Sequence, residues 1–118
     1  MKYLLHIISR TDWEKVGATY APRSLDMEGF IHCSTIDQVL IPANERFRGK
    51  RDLILLIIDV ERVRAPIKYE DCDKTGLTFP HIYGSLERNA IVKVCPFPSR
   101  EDGCFELPKD LTSLNTMK

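Results

Sequence analysis

Two histidines lie in segments where a histidine does more than fill space. His32 sits in Gly29-Phe30-Ile31-His32-Cys33-Ser34 and His81 in Phe79-Pro80-His81-Ile82-Tyr83-Gly84. Imidazole changes charge near neutral pH and offers one donor and one acceptor when neutral. In an extended strand, alternate residues share a face. Phe30, His32 and Ser34 therefore share one face, and Phe79, His81 and Tyr83 share another. A His and a Ser two apart stand ~7 Å from each other, a span that suits a ligand's hydroxyls or amide. Tyr83, with Phe79 on the same face, offers a stacking surface for a flat ring. Gly84 is expected where the backbone needs freedom or a ligand comes close.

Glu70 ends a short β-branched and aromatic run, where a carboxylate can orient a hydroxyl or act as a general base. Arg23, Ser24, Arg46, Arg48 and Lys74 can supply phosphate contacts, an Arg as a planar fork and a Lys as a point charge. No Gly-rich phosphate loop and no nucleophile elbow is present. His32, His81 and Glu70 could be read as a metal-ligand set, but their spacing fits no standard zinc pattern and no metal is expected. For each residue there is also a plain structural reading. His32 could be a satisfied core histidine beside a helix-capping Ser34, and Glu70 a solvated or paired carboxylate.

Several elements must carry these groups. Residues 2–9 form a first strand. Thr11-x-x-Glu14 has capping-box spacing and predicts a short helix over 12–18, with Trp13 and Val16 packed on a sheet. Residues 19–28 are a loop with one short extended piece. Gly29 opens a strand running through Ser34. Ser34 or Thr35 caps a second helix over 36–48, which Pro42 kinks or breaks. The apolar run 53–58, bounded by Asp52 and Asp59, predicts a central strand covered on both faces. Strands at 67–70, 79–84, 90–95 and 104–107 follow. A single turn is expected at 61–64, a polar loop at 71–78 and a turn at 85–89.

The chain has 118 residues, 43% apolar and 29% charged, with 17 acidic and 17 basic side chains. This suits one domain, 1–118, with a frayed end over 108–118. A zero net charge excludes a general basic field for nucleic acid. Cys33, Cys72, Cys95 and Cys104 show no CxxC pair and are expected as reduced thiols. The N-terminal run, interrupted by His6, makes a poor signal peptide. No apolar run approaches the ~20 residues that span a bilayer, so a cytoplasmic protein without a membrane partner is expected.

Trp13, the two histidine segments, Gln38, Ala43, Phe47, the strand 53–58 and Tyr69-Glu70 together resemble the DUF952 family, small and mostly bacterial proteins of unassigned function. The resemblance covers residues 3 to about 97. It implies an α+β, ADP-ribosyltransferase-like fold, a split mixed or antiparallel sheet with two short helices in the N-terminal half. The pattern is nearest to the two-histidine clade that includes RNA 2′-phosphotransferase. By that comparison NAD is the implied ligand and substrate. His32 and Ser34 would hold a ribose, Tyr83 would stack on nicotinamide, and Arg23 and Ser24 would join the cofactor-binding set. His32, His81 and Glu70 would be the catalytic set. Two departures stand out. Lys74 takes the place of an Arg found after Glu70 in relatives, and no Glu occupies the catalytic position of toxin-like ADP-ribosyltransferases.

Three functions follow as expectations. The first is a nucleotide-binding enzyme that transfers ADP-ribosyl, ribosyl or phosphoryl groups. The second is a non-catalytic nucleotide- or metabolite-binding module. The third is a metal-dependent hydrolase built on His32, His81 and Glu70. A small nucleotide is the favoured partner, with RNA less so.

Overall fold

The computed structural model describes residues 2–71, 74–109 and 111. Cys72, Asp73 and the end at 110 and 112–118 lie outside the described residues, and so do the expectations placed on them. The chain is α+β. The order is β1 (Tyr3–Ser9), α1 (Arg10–Glu14), β2 (Thr19–Tyr20), α2 (Arg23–Met27), β3 (Ile31–His32), α3 (Leu40–Arg46), β4 (Leu53–Asp59), β5 (Ile67–Glu70), β6 (Phe79–Ile82), β7 (Leu86–Glu87) and β8 (Ile91–Pro96). Three-residue 3₁₀ turns at Val60–Arg62 and Arg88–Ala90 complete it.

β4 is the centre, as its unbroken apolar run requires. All seven of its residues are buried. It pairs antiparallel with β1 on one side and β8 on the other. Ile54, Leu56 and Ile58 face one apolar cluster with Leu4, Ile31 and Ile82, and Trp13 and Val16 pack at its edge. Leu53, Leu55 and Ile57 face a second cluster with Val39, Ala43, Phe97 and Phe105. Burying each such aliphatic side chain stabilises the fold by roughly 1.5–3 kcal/mol before entropy is counted. β3, β6 and β5 form another antiparallel sheet, and β2 and β7 form a two-stranded ribbon. The pairings among the described strands are all antiparallel.

Among the described residues a single bridge joins the two larger sheets. Leu5 of β1 and Ser34, just beyond β3, exchange both backbone hydrogen bonds at 2.8 Å. Beyond it β1 continues along β4 while β3 runs along β6, so the sheet is split at this point.

Local chemistry moved several boundaries. The first helix starts at Arg10, and Ser9 rather than Thr11 caps it: the Ser9 hydroxyl accepts from Asp12 N–H at 3.1 Å. The stretch expected as loop at 19–28 contains α2, a third helix. Gly29 ends that stretch with φ +89°, in the left-handed region that glycine enters without steric cost. The second expected helix is confined to Leu40–Arg46, preceded by turns. Pro42 falls in its first turn, where a missing N–H is tolerated, and its ring obstructs any helix extending further upstream. The strand expected from 29 to 34 is regular only at Ile31–His32. The turn expected at 85–89 contains β7. No strand forms at 104–107. Phe105 is held there by its N–H donating to Asn44 Oδ1 at 2.7 Å and by stacking on Phe97 at 4.7 Å. Those side-chain contacts replace a strand partner.

Cys33 and Cys104 are free thiols. Among the described residues no helix is long and apolar enough to cross a membrane.

Candidate functional site

Register decides the site. β3 and β6 align so that His32 lies directly opposite His81 and Ile31 opposite Ile82. Directly opposed residues project from the same face of a sheet. The apolar pair goes into the core and the histidine pair goes to the other face, with ring centroids 5.4 Å apart and nearly perpendicular. Phe30 backs both rings. It stacks on His81 at 4.0 Å, 13° from parallel, and meets His32 edge-on at 4.8 Å.

Each imidazole has its own carboxylate. β5 continues the sheet beyond β6, with Lys68 opposite His81. Glu70 is thus the diagonal neighbour, and its Oε1 accepts from His81 Nδ1 at 2.9 Å. The same oxygen accepts the Tyr83 hydroxyl at 2.5 Å. These two donors, Tyr83 first, hold the Glu70 carboxyl below the usual carboxylate range. His32 Nε2 bonds to Glu28 Oε2. Glu28 follows α2 directly, and the Gly29 turn swings it back toward His32 four residues on. His81 is buried and His32 is partly exposed.

The split in the sheet is filled by a third histidine. His6, on β1, places Nδ1 2.5 Å from the His32 backbone carbonyl and Nε2 2.7 Å from the Tyr20 hydroxyl. A carbonyl can only accept, so Nδ1 carries the proton and the tyrosine donates to Nε2. His6 is therefore neutral. Burial, opposed in part by the bond to the His32 carbonyl, pushes its pKa down to about 4. Burial also pushes the Tyr20 hydroxyl above its ordinary range. The side chain thus takes the carbonyl of His32 where β1 and β3 part.

The two imidazoles border a cleft of about 610 Å³. Of the predicted residues, His32, Ser34, His81, Glu70, Arg23 and Ser24 all line it. Tyr83 does not. Its ring lies 5.3 Å from Phe30 and under the Lys68 ammonium at 4.9 Å, with its hydroxyl on Glu70. Gly84 is indeed a point of close approach, but the neighbour is protein: a Cβ there would stand 2.8 Å from Ala65 Cβ. Arg46 and Lys50 bring positive charge to the cleft wall alongside Arg23, and Phe47, Leu77 and Phe79 give it an apolar part. Lys74 and Arg48 are not among the lining residues.

Sequence reasoning missed Glu28, His6, Tyr20 and Lys50. The Glu28-Gly29 step ahead of a histidine strand was a usable signal for the first. His6 read only as an interruption in an apolar strand, and a long-range partner is invisible in sequence. Among the described residues, no three His, Cys, Asp or Glu side chains converge as a metal-ligand set.

Comparison with known proteins places these features in a family. The model of the family described as "Protein of unknown function (DUF952)" matches residues 7–94. The crystal structure of protein CC0527 from Caulobacter crescentus is 27% identical, with a TM-score of 0.82, over 94% of this chain and 99% of that one. Its solution NMR structure matches with 25% identity and a TM-score of 0.68, over 88% of this chain and 91% of that one. No curated protein matches this chain.

Proposed function

This chain belongs to the DUF952 family, and we propose that its cleft binds an ADP-ribose-like nucleotide, with NAD the first ligand to test. The observation that carries the reading is the pair His32 and His81, directly opposed on β3 and β6 and both lining one cleft. A volume of about 610 Å³ lies within the range of small-molecule sites. Arg23, Arg46 and Lys50 on the wall suit a diphosphate, whose oxygens take charge-assisted hydrogen bonds. Phe47, Leu77 and Phe79 suit a base or nicotinamide ring. The split between β1 and β3 also favours an ADP-ribosyltransferase-like sheet, which opens around its ligand.

In this reading the imidazole of His81 and the hydroxyl of Ser34 hold ribose hydroxyls. Glu70 acts on the ligand through His81, because one of its oxygens already accepts two hydrogen bonds. Isothermal titration with NAD and with ADP-ribose tests the reading. Submillimolar binding is expected, weakened at least tenfold in His81→Ala. No heat from either ligand at millimolar concentration would sink it. Nicotinamide release, followed in the same samples, separates a transferase from a module that only binds.

A further inference from the structure

The two carboxylates take one nitrogen of each imidazole and leave the other. His81 uses Nδ1 on Glu70 and His32 uses Nε2 on Glu28, so Nε2 of His81 and Nδ1 of His32 are the nitrogens without a carboxylate. The rings belong to opposed residues of adjacent strands and lie 5.4 Å apart on the wall of one cleft. Two imidazoles so placed can each handle a different proton of one reacting group. The Cys33 thiol is no rival to them: Cys33 packs in the apolar core, and burial pushes its thiol up. The hydrogen bonds of His32 and His81 among the described side chains run to carboxylates and not to a hydroxyl or thiol.

We propose that His32 and His81 are a general acid–base couple for phosphoryl transfer on a ribonucleotide, the nucleophile coming from water or from the substrate itself. The substrate class rests on the nucleotide reading of the cleft. The catalytic arrangement rests on the two imidazole–carboxylate pairs.

His81 is the acid. It is buried, and its Nδ1 donates to Glu70, so Nε2 is the nitrogen left for a leaving oxygen. His32 is the base, being more open to solvent. For a nucleoside 2′,3′-cyclic phosphate, His32 Nδ1 takes a proton from water as the water oxygen bonds to phosphorus. The phosphorus–oxygen bond to one ribose oxygen breaks, and His81 Nε2 gives that oxygen its proton. A nucleoside monophosphate leaves, and one proton exchanged with solvent resets the pair. Glu28 and Glu70 are positioning residues, fixing which nitrogen of each ring faces the reacting group. The other charged or titratable groups around the couple include His6 behind the His32 carbonyl and Lys68 opposite His81, with Asp12, Arg23, Glu45, Arg46, Lys50 and Asp71 on the cleft wall.

The test uses the full chain with 2′,3′-cyclic AMP, followed by phosphorus NMR across pH, beside titration with ADP-ribose. A bell-shaped kcat/KM profile is expected. His32→Ala and His81→Ala should each lower it by roughly 10²–10⁴-fold. Glu70→Gln should move the basic limb to lower pH, because the imidazolium of the acid loses its counter-charge. Glu28→Gln should move the acidic limb to lower pH for the same reason at the base. Carboxylates that merely support the fold would lower the amplitude and leave both limbs in place, which overturns their assignment. ADP-ribose binding without turnover of the cyclic phosphate overturns the couple and leaves the binding reading intact. Turnover with the expected limbs but no ADP-ribose binding keeps the couple and removes the binding reading.

Discussion

The two larger sheets meet at one bridge, Leu5 to Ser34, and on either side of it the chain solves opposite problems. β4 hides all seven of its residues between two apolar clusters. Its Asp59 lies at the end, where it accepts from Glu61 N–H at 3.0 Å. On the other side, β3, β5 and β6 turn Ile31 and Ile82 to the core and place Phe30, His32, Glu70, His81 and Tyr83 together on the far face. Dispersion and dehydration hold the first region, and neither is directional. The second is held by hydrogen bonds that fix ring orientation and proton placement. One sheet anchors, and the other presents chemistry.

That division can be broken by mutation, and the largest effect is expected in the dry sheet. Leu56→Ala leaves a cavity beside β1 and β8 and should cost about 2–5 kcal/mol in urea unfolding. The affinity for ADP-ribose, measured while the variant is folded, should stay within about twofold, because Leu56 does not line the cleft. A matching loss of affinity would mean that the two sheets are not separate in function.

A slightly smaller effect sits at the junction. His6 has its pKa lowered by burial to about 4 in the folded chain, against an ordinary 6.5 when unfolded. Between those values the unfolded chain binds more protons, so stability is full above about pH 6.5 and falls as pH drops toward 4. The loss amounts to about 3 kcal/mol. Unfolding followed from pH 7 to pH 4 should show this slope in the wild type and lose most of it in His6→Gln. An unchanged slope would assign the acid sensitivity to other groups and remove His6 from the junction's account.

The polar sheet also contains a rigid point, and Gly84→Ala sharpens the contrast there. The added methyl would stand 2.8 Å from the Cβ of Ala65, so the segment after β6 must shift. Overpacking of this kind costs about 1–3 kcal/mol. Pairing it with Ala65→Gly, which removes the opposing methyl, should recover part of the loss in thermal unfolding. Failure to recover would place the cost in the backbone instead. The smallest effect belongs to Arg10→Ala. Its pair with Asp52 is exposed at 3.2 Å, and such pairs are worth about 0–1 kcal/mol. A larger drop in a salt-dependent melt would show that the contact between α1 and the residue before β4 carries more than charge.

The readable parts of the sequence were those whose information is local. β4 was legible because six apolar residues bounded by aspartates suit a strand covered on both faces. The faces of the histidine strands were legible because alternation in an extended chain is geometry. His32, Ser34, Glu70, His81, Arg23, Ser24 and Arg46 all line the cleft, while Tyr83, Arg48 and Lys74 do not. The errors have equally local causes. Capping is decided by whichever hydroxyl sits at the right backbone position, and Ser9 reached it before Thr11. Asn44 took the role of strand partner for Phe105, which no propensity scale encodes.

By itself, the sequence determined the long strands β1 and β4, the two-sided burial of β4, and which side chains of each histidine strand travel together. Those follow from periodicity, and periodicity needs no partner. Tertiary structure alone decided that His32 faces His81, that Glu28 and Glu70 take opposite nitrogens of the two rings, and that His6 fills the split behind them. The register between strands far apart along the chain is set by which apolar pair, here Ile31 and Ile82, reaches the core together. Burial chose the register, and the register placed the two imidazoles side by side.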